Sequence, residues 1–364
     1  MNDNLQEMMR EATRLTQAGR LTDATAAIQR ALRGNAALDA VALLAPQRAP
    51  SPAGDSTQAS PWVLDGCVFE LAADEADGAT SVAAATFSSG LHTHAGLTRR
   101  YKLYAPPASS SAPRPLVLML HGCTQNADDF AAGTAMNELA RAQGFLVLYA
   151  EQSHEANPSR CWNWFKHNHQ QRGRGEPALL ANLTQAVIQS HGIDPRRVYL
   201  AGLSAGGAMA AIVAGAYPDV FAAVGVHSGL PSGAARSLPE ALAAMKTGAV
   251  AGSASPAQPT VPTIVFHGDQ DPTVHPRNGE LLMSAAPGGA VRVEPGVSAQ
   301  GRRYTRRIHE AEDGTAWAEH WLVHGAGHAW SGGRAGASYT DASGPDASAE
   351  MLRFFLEHPR AVQR

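Results

Sequence analysis

Unbroken apolar runs mark the middle of this chain. Leu116-Val117-Leu118-Met119-Leu120 and Thr263-Ile264-Val265-Phe266 contain little polar interruption, the pattern of strands covered on both faces. Phe145–Tyr149, Arg197–Ala201, Phe221–Val226, Arg303–Ile308 and Ala318–Val323 read as further strands. Arg99–Tyr104 alternates, as a half-buried strand does. Helical patterns fall between them, over 127–143, 177–190, Ala208–Tyr217 and Ala347–Leu356, the last with Pro345 near its start. Strand and helix alternate, which predicts an α/β fold with a mostly parallel central sheet and helices on both faces.

The first quarter of the chain lacks that rhythm. Leu5, Met8, Met9 and Ala12 share one helical face, and Ala24, Ala27, Ile28 and Leu32 another. A small helical hairpin over residues 1–33 is predicted, resembling one tetratricopeptide-like unit, with no second copy to stack on it. Residues 34–95 form a linker and a stretch without firm assignment, and Pro46–Pro61 is rich in Pro, Ser, Ala and Gly. Residues 96–364 are expected to form the main α/β domain.

Composition narrows the function. With 364 residues, 44% of them hydrophobic, one large α/β core is within reach. A net charge of -3 gives no reason to expect a nucleic-acid or membrane partner. Three cysteines (Cys67, Cys123 and Cys161) are too few for a disulfide scaffold and lack zinc-site spacing. The N-terminal residues carry neither a positive start nor an apolar core, so a cytoplasmic location is expected.

The chemistry enters at Gly202-Leu203-Ser204-Ala205-Gly206-Gly207. This G-x-S-x-G lies between the Arg197 strand and the Ala208 helix, where a sharp turn exposes a nucleophilic serine hydroxyl. Glycines flank the serine because side chains there would strike neighbouring backbone. A serine hydroxyl needs a base, usually a histidine oriented by a carboxylate. In this kind of fold they follow in the order Ser, Asp/Glu, His. His267-Gly268-Asp269-Gln270-Asp271 follows one core strand and offers Asp271, with Asp269 the fallback and read as shaping the turn. His324-Gly325-Ala326-Gly327-His328-Ala329-Trp330 follows another, and His328 lies deeper in that loop than His324. His121-Gly122-Cys123-Thr124-Gln125 follows the Leu116 strand. The backbone N–H groups of Cys123 and Ala205 are the expected oxyanion hole.

These motifs, together with Cys161-Trp162-Asn163-Trp164-Phe165 and Gly327-His328-Ala329-Trp330, resemble the esterase family of polyhydroxybutyrate depolymerases, which borders on feruloyl and acetylxylan esterases. The resemblance runs over roughly residues 96–358. It implies an α/β-hydrolase fold, a Ser204–Asp271–His328 triad, and ester hydrolysis without metal or organic cofactor. It implies that Trp330 lines the acyl or alcohol site, that the loop of Trp162 and Asn163 walls the cleft, and that Cys123 and Cys161 can be bridged. Such a bridge needs an oxidising compartment, and many members of the resembled family are extracellular; that location is the alternative to the cytoplasm.

The expected substrate is a poly- or oligo-(3-hydroxyalkanoate) ester or a related short-chain ester. The alternatives are a feruloyl- or acetylxylan-type ester and, outside enzymes, a binding protein on a retired hydrolase fold. The partner is the ester itself, with the N-terminal hairpin as a candidate contact surface.

Overall fold

The described residues fall within one compact unit, Ser81–Arg364. The structure, a computed structural model, describes residues 84–108, 110–249, 261–283, 289–312 and 314–361. The expected helical hairpin, the linker and Cys67 lie outside the described residues. Elements are numbered among those described.

Ten strands form one sheet in the order β1-β2-β4-β3-β5-β6-β7-β10-β9-β8. The strands are β1 (Thr86–His94), β2 (Leu97–Ala105), β3 (Arg114–Leu120), β4 (Leu146–Ala150), β5 (Ile193–Leu203), β6 (Ala223–His227), β7 (Thr263–Gly268), β8 (Val291–Val297), β9 (Arg303–Glu310) and β10 (Ala316–Val323). Contacts from β4 through β3, β5, β6 and β7 to β10 are parallel. Antiparallel hairpins close both sides, β1–β2 at one and β9–β8 at the other. The sheet therefore begins at Thr86, inside the stretch for which the sequence offered no firm assignment. A small parallel pair, β11 (Trp330–Ser331) and β12 (Thr340–Asp341), lies apart from it.

Helices cover both faces: α1 (Ala127–Thr134), α2 (Met136–Gln143), α3 (Gly175–Ser190), α4 (Ala205–Ala216), α5 (Leu238–Thr247), α6 (Arg277–Met283) and α7 (Ala347–Glu357). β3 shows how the pleat divides the core. Leu116, Leu118 and Leu120 pack with Leu180 and Leu183 of α3 and Met209 and Val213 of α4. Val117 and Met119 pack on the other face with Phe130, Met136, Phe354 and Phe355. These five β3 side chains are fully buried, each contributing about 2 kcal/mol.

The helix expected over 127–143 is broken at Ala135, which takes φ 53°. Tertiary partners divert the carbonyls just before it: Arg334 N–H donates to Gly133 O (2.9 Å) and Ser348 Oγ to Thr134 O (2.7 Å).

Candidate active site

Ser204 stands between β5 and α4 at φ 57°, ψ -119°, a region that non-glycine residues avoid. The turn is held by Ser204 N–H donating to His227 O at 2.9 Å and by Ala208 N–H donating to Ser204 O at 2.9 Å. Its glycines are sterically required. A Cβ on Gly202 would lie 2.4 Å from Gly206 C, and one on Gly206 would lie 2.1 Å from Leu120 O. That close approach also seats the start of α4 against the end of β3, from which the 121–125 loop departs.

Asp271 lies in the loop after β7 and His328 in the loop after β10, two strands paired in parallel. His328 Nδ1 donates to Asp271 Oδ2 at 2.7 Å. Asp271 Oδ1 accepts from Thr273 N–H and Val274 N–H, both at 2.8 Å. Burial pushes the Asp271 carboxyl up, but His328 and the Val274 N–H outweigh it and hold the group below its ordinary value. The acid is therefore ionised, and Nδ1 of His328 carries the proton, which leaves Nε2 as the basic nitrogen. Neither Nε2 nor the Ser204 hydroxyl takes a hydrogen bond among the described residues.

The fallback pair sits beside this one. Asp269 accepts from His324 Nδ1 at 2.9 Å and from Gly325 N–H at 2.7 Å, and His324 Nε2 meets Thr305 Oγ1 at 2.8 Å. Asp269 N–H also donates to Val323 O, and Gln270 N–H to Ala326 O. These contacts fasten the loop after β7 to the loop after β10, so Asp269 and His324 brace the loops that carry Asp271 and His328.

The 121–125 loop is equally constrained. Gln125 Oε1 accepts from Gly122 N–H at 2.9 Å, and Gln125 Nε2 donates to Asp129 Oδ2 at 3.0 Å. Thr124, at φ 68°, donates its N–H to Ser159 O at 2.7 Å. Cys123 is bridged to Cys161. The N–H of Cys123 has no backbone acceptor among the described residues. Ala205 is the first residue of α4, where an N–H has no intrahelical acceptor. Both donors expected for the oxyanion are thus unspent.

Three expected lining residues are placed elsewhere. Trp330 is 1% exposed. Its ring stacks on His227 (5.1 Å) and meets Phe130 edge-on (5.5 Å), and its indole N–H donates to Ser348 Oγ at 3.0 Å. With β11 paired to β12, this ring lies in the core cluster rather than on the surface. Trp162 is wholly buried in the core cluster, its ring centroid 5.8 Å from that of His121. Asn163 is drawn inward by a carboxylate: its N–H donates to Glu176 Oε2 at 2.8 Å and its Nδ2 to Oε1 at 2.9 Å.

Glu176 is the residue that the sequence hid. Fully buried, it also accepts from Arg99 Nη2 and Gln152 Nε2. In sequence it is a lone carboxylate just before the helix read over 177–190, where the macrodipole alone accounts for it. Through Asn163 it anchors the segment carrying Cys161, and so the oxyanion loop.

A protein-family model for the esterase PHB depolymerase family matches residues 99–312, more than half of the chain. The chain belongs to the esterase PHB depolymerase family. Ser204 and Asp271 lie inside the matched residues and His328 beyond them. A poly(3-hydroxyalkanoate) depolymerase C of Paucimonas lemoignei is 31% identical over 261 residues, covering 68% of this chain and 62% of the relative. A feruloyl esterase B of Thermothelomyces thermophilus is 34% identical over 134 residues, covering 36% of this chain and 45% of the relative. The chain thus spans about half to three fifths of the length of such relatives. Among solved structures, an acetyl xylan esterase from Aspergillus awamori aligns with TM-score 0.57 at 20% identity, covering 74% of this chain and 99% of that one. The fold is that of an α/β-hydrolase. No helix among the described residues is long and apolar enough to cross a membrane.

Proposed function

We propose that this protein is a serine esterase. The observation that carries the proposal is the 2.7 Å His328–Asp271 contact, formed in the same fold as a serine held at φ 57° on a glycine-flanked turn. His328 Nε2 takes the Ser204 proton as Oγ attacks the ester carbonyl. Asp271 fixes the imidazole and stabilises its charge. The N–H groups of Cys123 and Ala205 bind the oxyanion. The protonated His328 then gives its proton to the leaving alcohol, and water opens the acyl-enzyme by the same route, restoring the serine hydroxyl and releasing the acid.

The substrate class follows from family membership and the hydroxyalkanoate relative: a poly- or oligo-(3-hydroxyalkanoate) ester or a related short-chain ester. The feruloyl relative favours the second reading, an aromatic or carbohydrate ester. The proposed compartment is an oxidising, extracytoplasmic one, because the Cys123–Cys161 bridge persists there and not among cytosolic reductants; the N-terminal residues pointed instead to the cytoplasm.

Labelling with a fluorophosphonate tests the mechanism. The wild type is expected to label at Ser204, and Ser204→Ala to lose both labelling and roughly four or more orders of magnitude in kcat. Equal labelling of Ser204→Ala would sink the assignment. A panel of 3-hydroxybutyrate oligomers, methyl ferulate and acetylated xylan decides between the two substrate classes.

A further inference from the structure

With Trp330 and Trp162 withdrawn into the core, an unforeseen aromatic stands at the site. Tyr339 is 44% exposed. Its ring meets the His328 imidazole edge-on, with centroids 6.4 Å apart at 79°. Its hydroxyl reaches Thr124 Oγ1 at 3.3 Å, beside the oxyanion donor Cys123. Tyr339 thus spans the interval between the base loop and the oxyanion loop.

The backbone holds it there against its own preference. Tyr339 has φ 53° and Thr124 φ 68°, conformations uncommon for any side chain larger than that of Asn. Such strain persists only where surrounding contacts over-determine it, and here they do. Tyr339 O accepts from Trp330 N–H at 2.7 Å. Its neighbour Ser338 donates its N–H and its hydroxyl to Asp129 and accepts from Gln125 Nε2. Its other neighbour, Thr340, donates to the Arg334 and Ala337 carbonyls. The backbone around Tyr339 is thus held by tertiary hydrogen bonds, while close to half of its ring area is left uncovered beside His328.

We infer that Tyr339 is a specificity-determining residue of the site, its ring packing against the apolar part of the leaving alcohol. The assignment rests on the esterase reading. His328 delivers its proton to the leaving oxygen, so a ring set against His328 lies beside the group which that oxygen carries. The substrate class this favours is an ester whose alcohol is bulky and apolar, alkyl or aryl, over one with a small alcohol.

The test is kcat and KM on acetate esters of methanol, butanol and benzyl alcohol, and on methyl esters of acids of graded length. Tyr339→Asn keeps a residue that tolerates positive φ and removes the ring. Its kcat/KM for benzyl acetate relative to methyl acetate is expected to fall about tenfold, mostly through KM, as for loss of an apolar contact. Tyr339→Phe is expected to retain most of the wild-type ratio. Should Tyr339→Asn prove unfolded by its thermal midpoint, Tyr339→Gly serves for the same ratio. An unchanged ratio, a uniform loss on every ester, or a loss that follows the acyl chain alone would overturn the inference. Fluorophosphonate labelling of the wild type, run alongside, shows separately whether the esterase reading stands.

Discussion

Replacing Glu176 with glutamine keeps the shape of the side chain and removes its charge. The carboxylate is fully enclosed. Oε1 accepts from Arg99 Nη2 at 3.1 Å, Gln152 Nε2 at 2.5 Å and Asn163 Nδ2 at 2.9 Å, and Oε2 from the Asn163 N–H at 2.8 Å. His169 Nδ1 stands 3.4 Å from Oε2, ion-pair distance rather than a good hydrogen bond. An amide must turn its own N–H donors toward some of these donors. It also leaves Arg99, only 4% exposed, without its countercharge. Removing one partner of a buried pair costs about 3–5 kcal/mol. The proton affinity points to the same size. Burial alone would raise the Glu176 carboxyl, but His169, Gln152 and the Asn163 N–H outweigh it and hold it at about 2 against an ordinary 4.5. Each tenfold in proton affinity is worth about 1.4 kcal/mol, so the environment contributes about 3 kcal/mol.

The sign follows from a depressed pKa. The contribution is complete above pH 4.5 and is lost as pH falls toward 2. Urea unfolding at pH 7 is expected to show Glu176→Gln destabilised by about 3 kcal/mol, with the gap to wild type narrowing below pH 4.5. Ester hydrolysis should weaken as well, because Asn163, and with it the Cys161–Cys123 link, loses its anchor. Equal urea midpoints at pH 7 would refute the reasoning.

Other expectations follow from the same interior. Burial holds His121 down to about 4, and His227 and His320 down to about 3, from an ordinary 6.5. The unfolded chain therefore binds protons that the native state refuses, and stability should fall by several kcal/mol as pH drops from 6.5 toward 3; a flat urea midpoint from pH 6.5 to 4 would count against it. Reducing the Cys123–Cys161 bridge releases a loop spanning 38 residues of sequence separation, worth about 4 kcal/mol in chain entropy. Dithiothreitol should lower both the thermal midpoint and kcat, and no change in either would sink the structural role given to the bridge. Trp330→Ala should cost about 3–5 kcal/mol as a core cavity while treating all esters alike; intact stability with a substrate-selective rise in KM would instead return Trp330 to the cleft.

The legibility of the fold tracked burial. β3 and β7 are covered on both faces and read as unbroken apolar runs. β1 and β8 are largely exposed edge strands, and with little to bury they carry no run or clean alternation to detect. α5 and α6 also passed unnoticed: both are short, ten and seven residues, and lie between stretches rich in Gly, Pro and Ser. The break at Ala135 has no local signal, since the carbonyls there are claimed by Arg334 and Ser348, some 200 residues further along the chain.

The sequence by itself determined the glycine-flanked serine turn, because Gly202 and Gly206 around Ser204 follow a local steric logic, and it placed the proposed acid and base in loops at the ends of core strands. Tertiary structure alone decided which face each large side chain took. Trp330 and Tyr339 lie nine residues apart on either side of one loop. The stronger apolar signal belongs to Trp330, yet the β11–β12 pairing turns Trp330 inward and leaves Tyr339 at the base. A residue type states how much area it can bury; only the packed neighbours determine whether that area meets the core or a substrate.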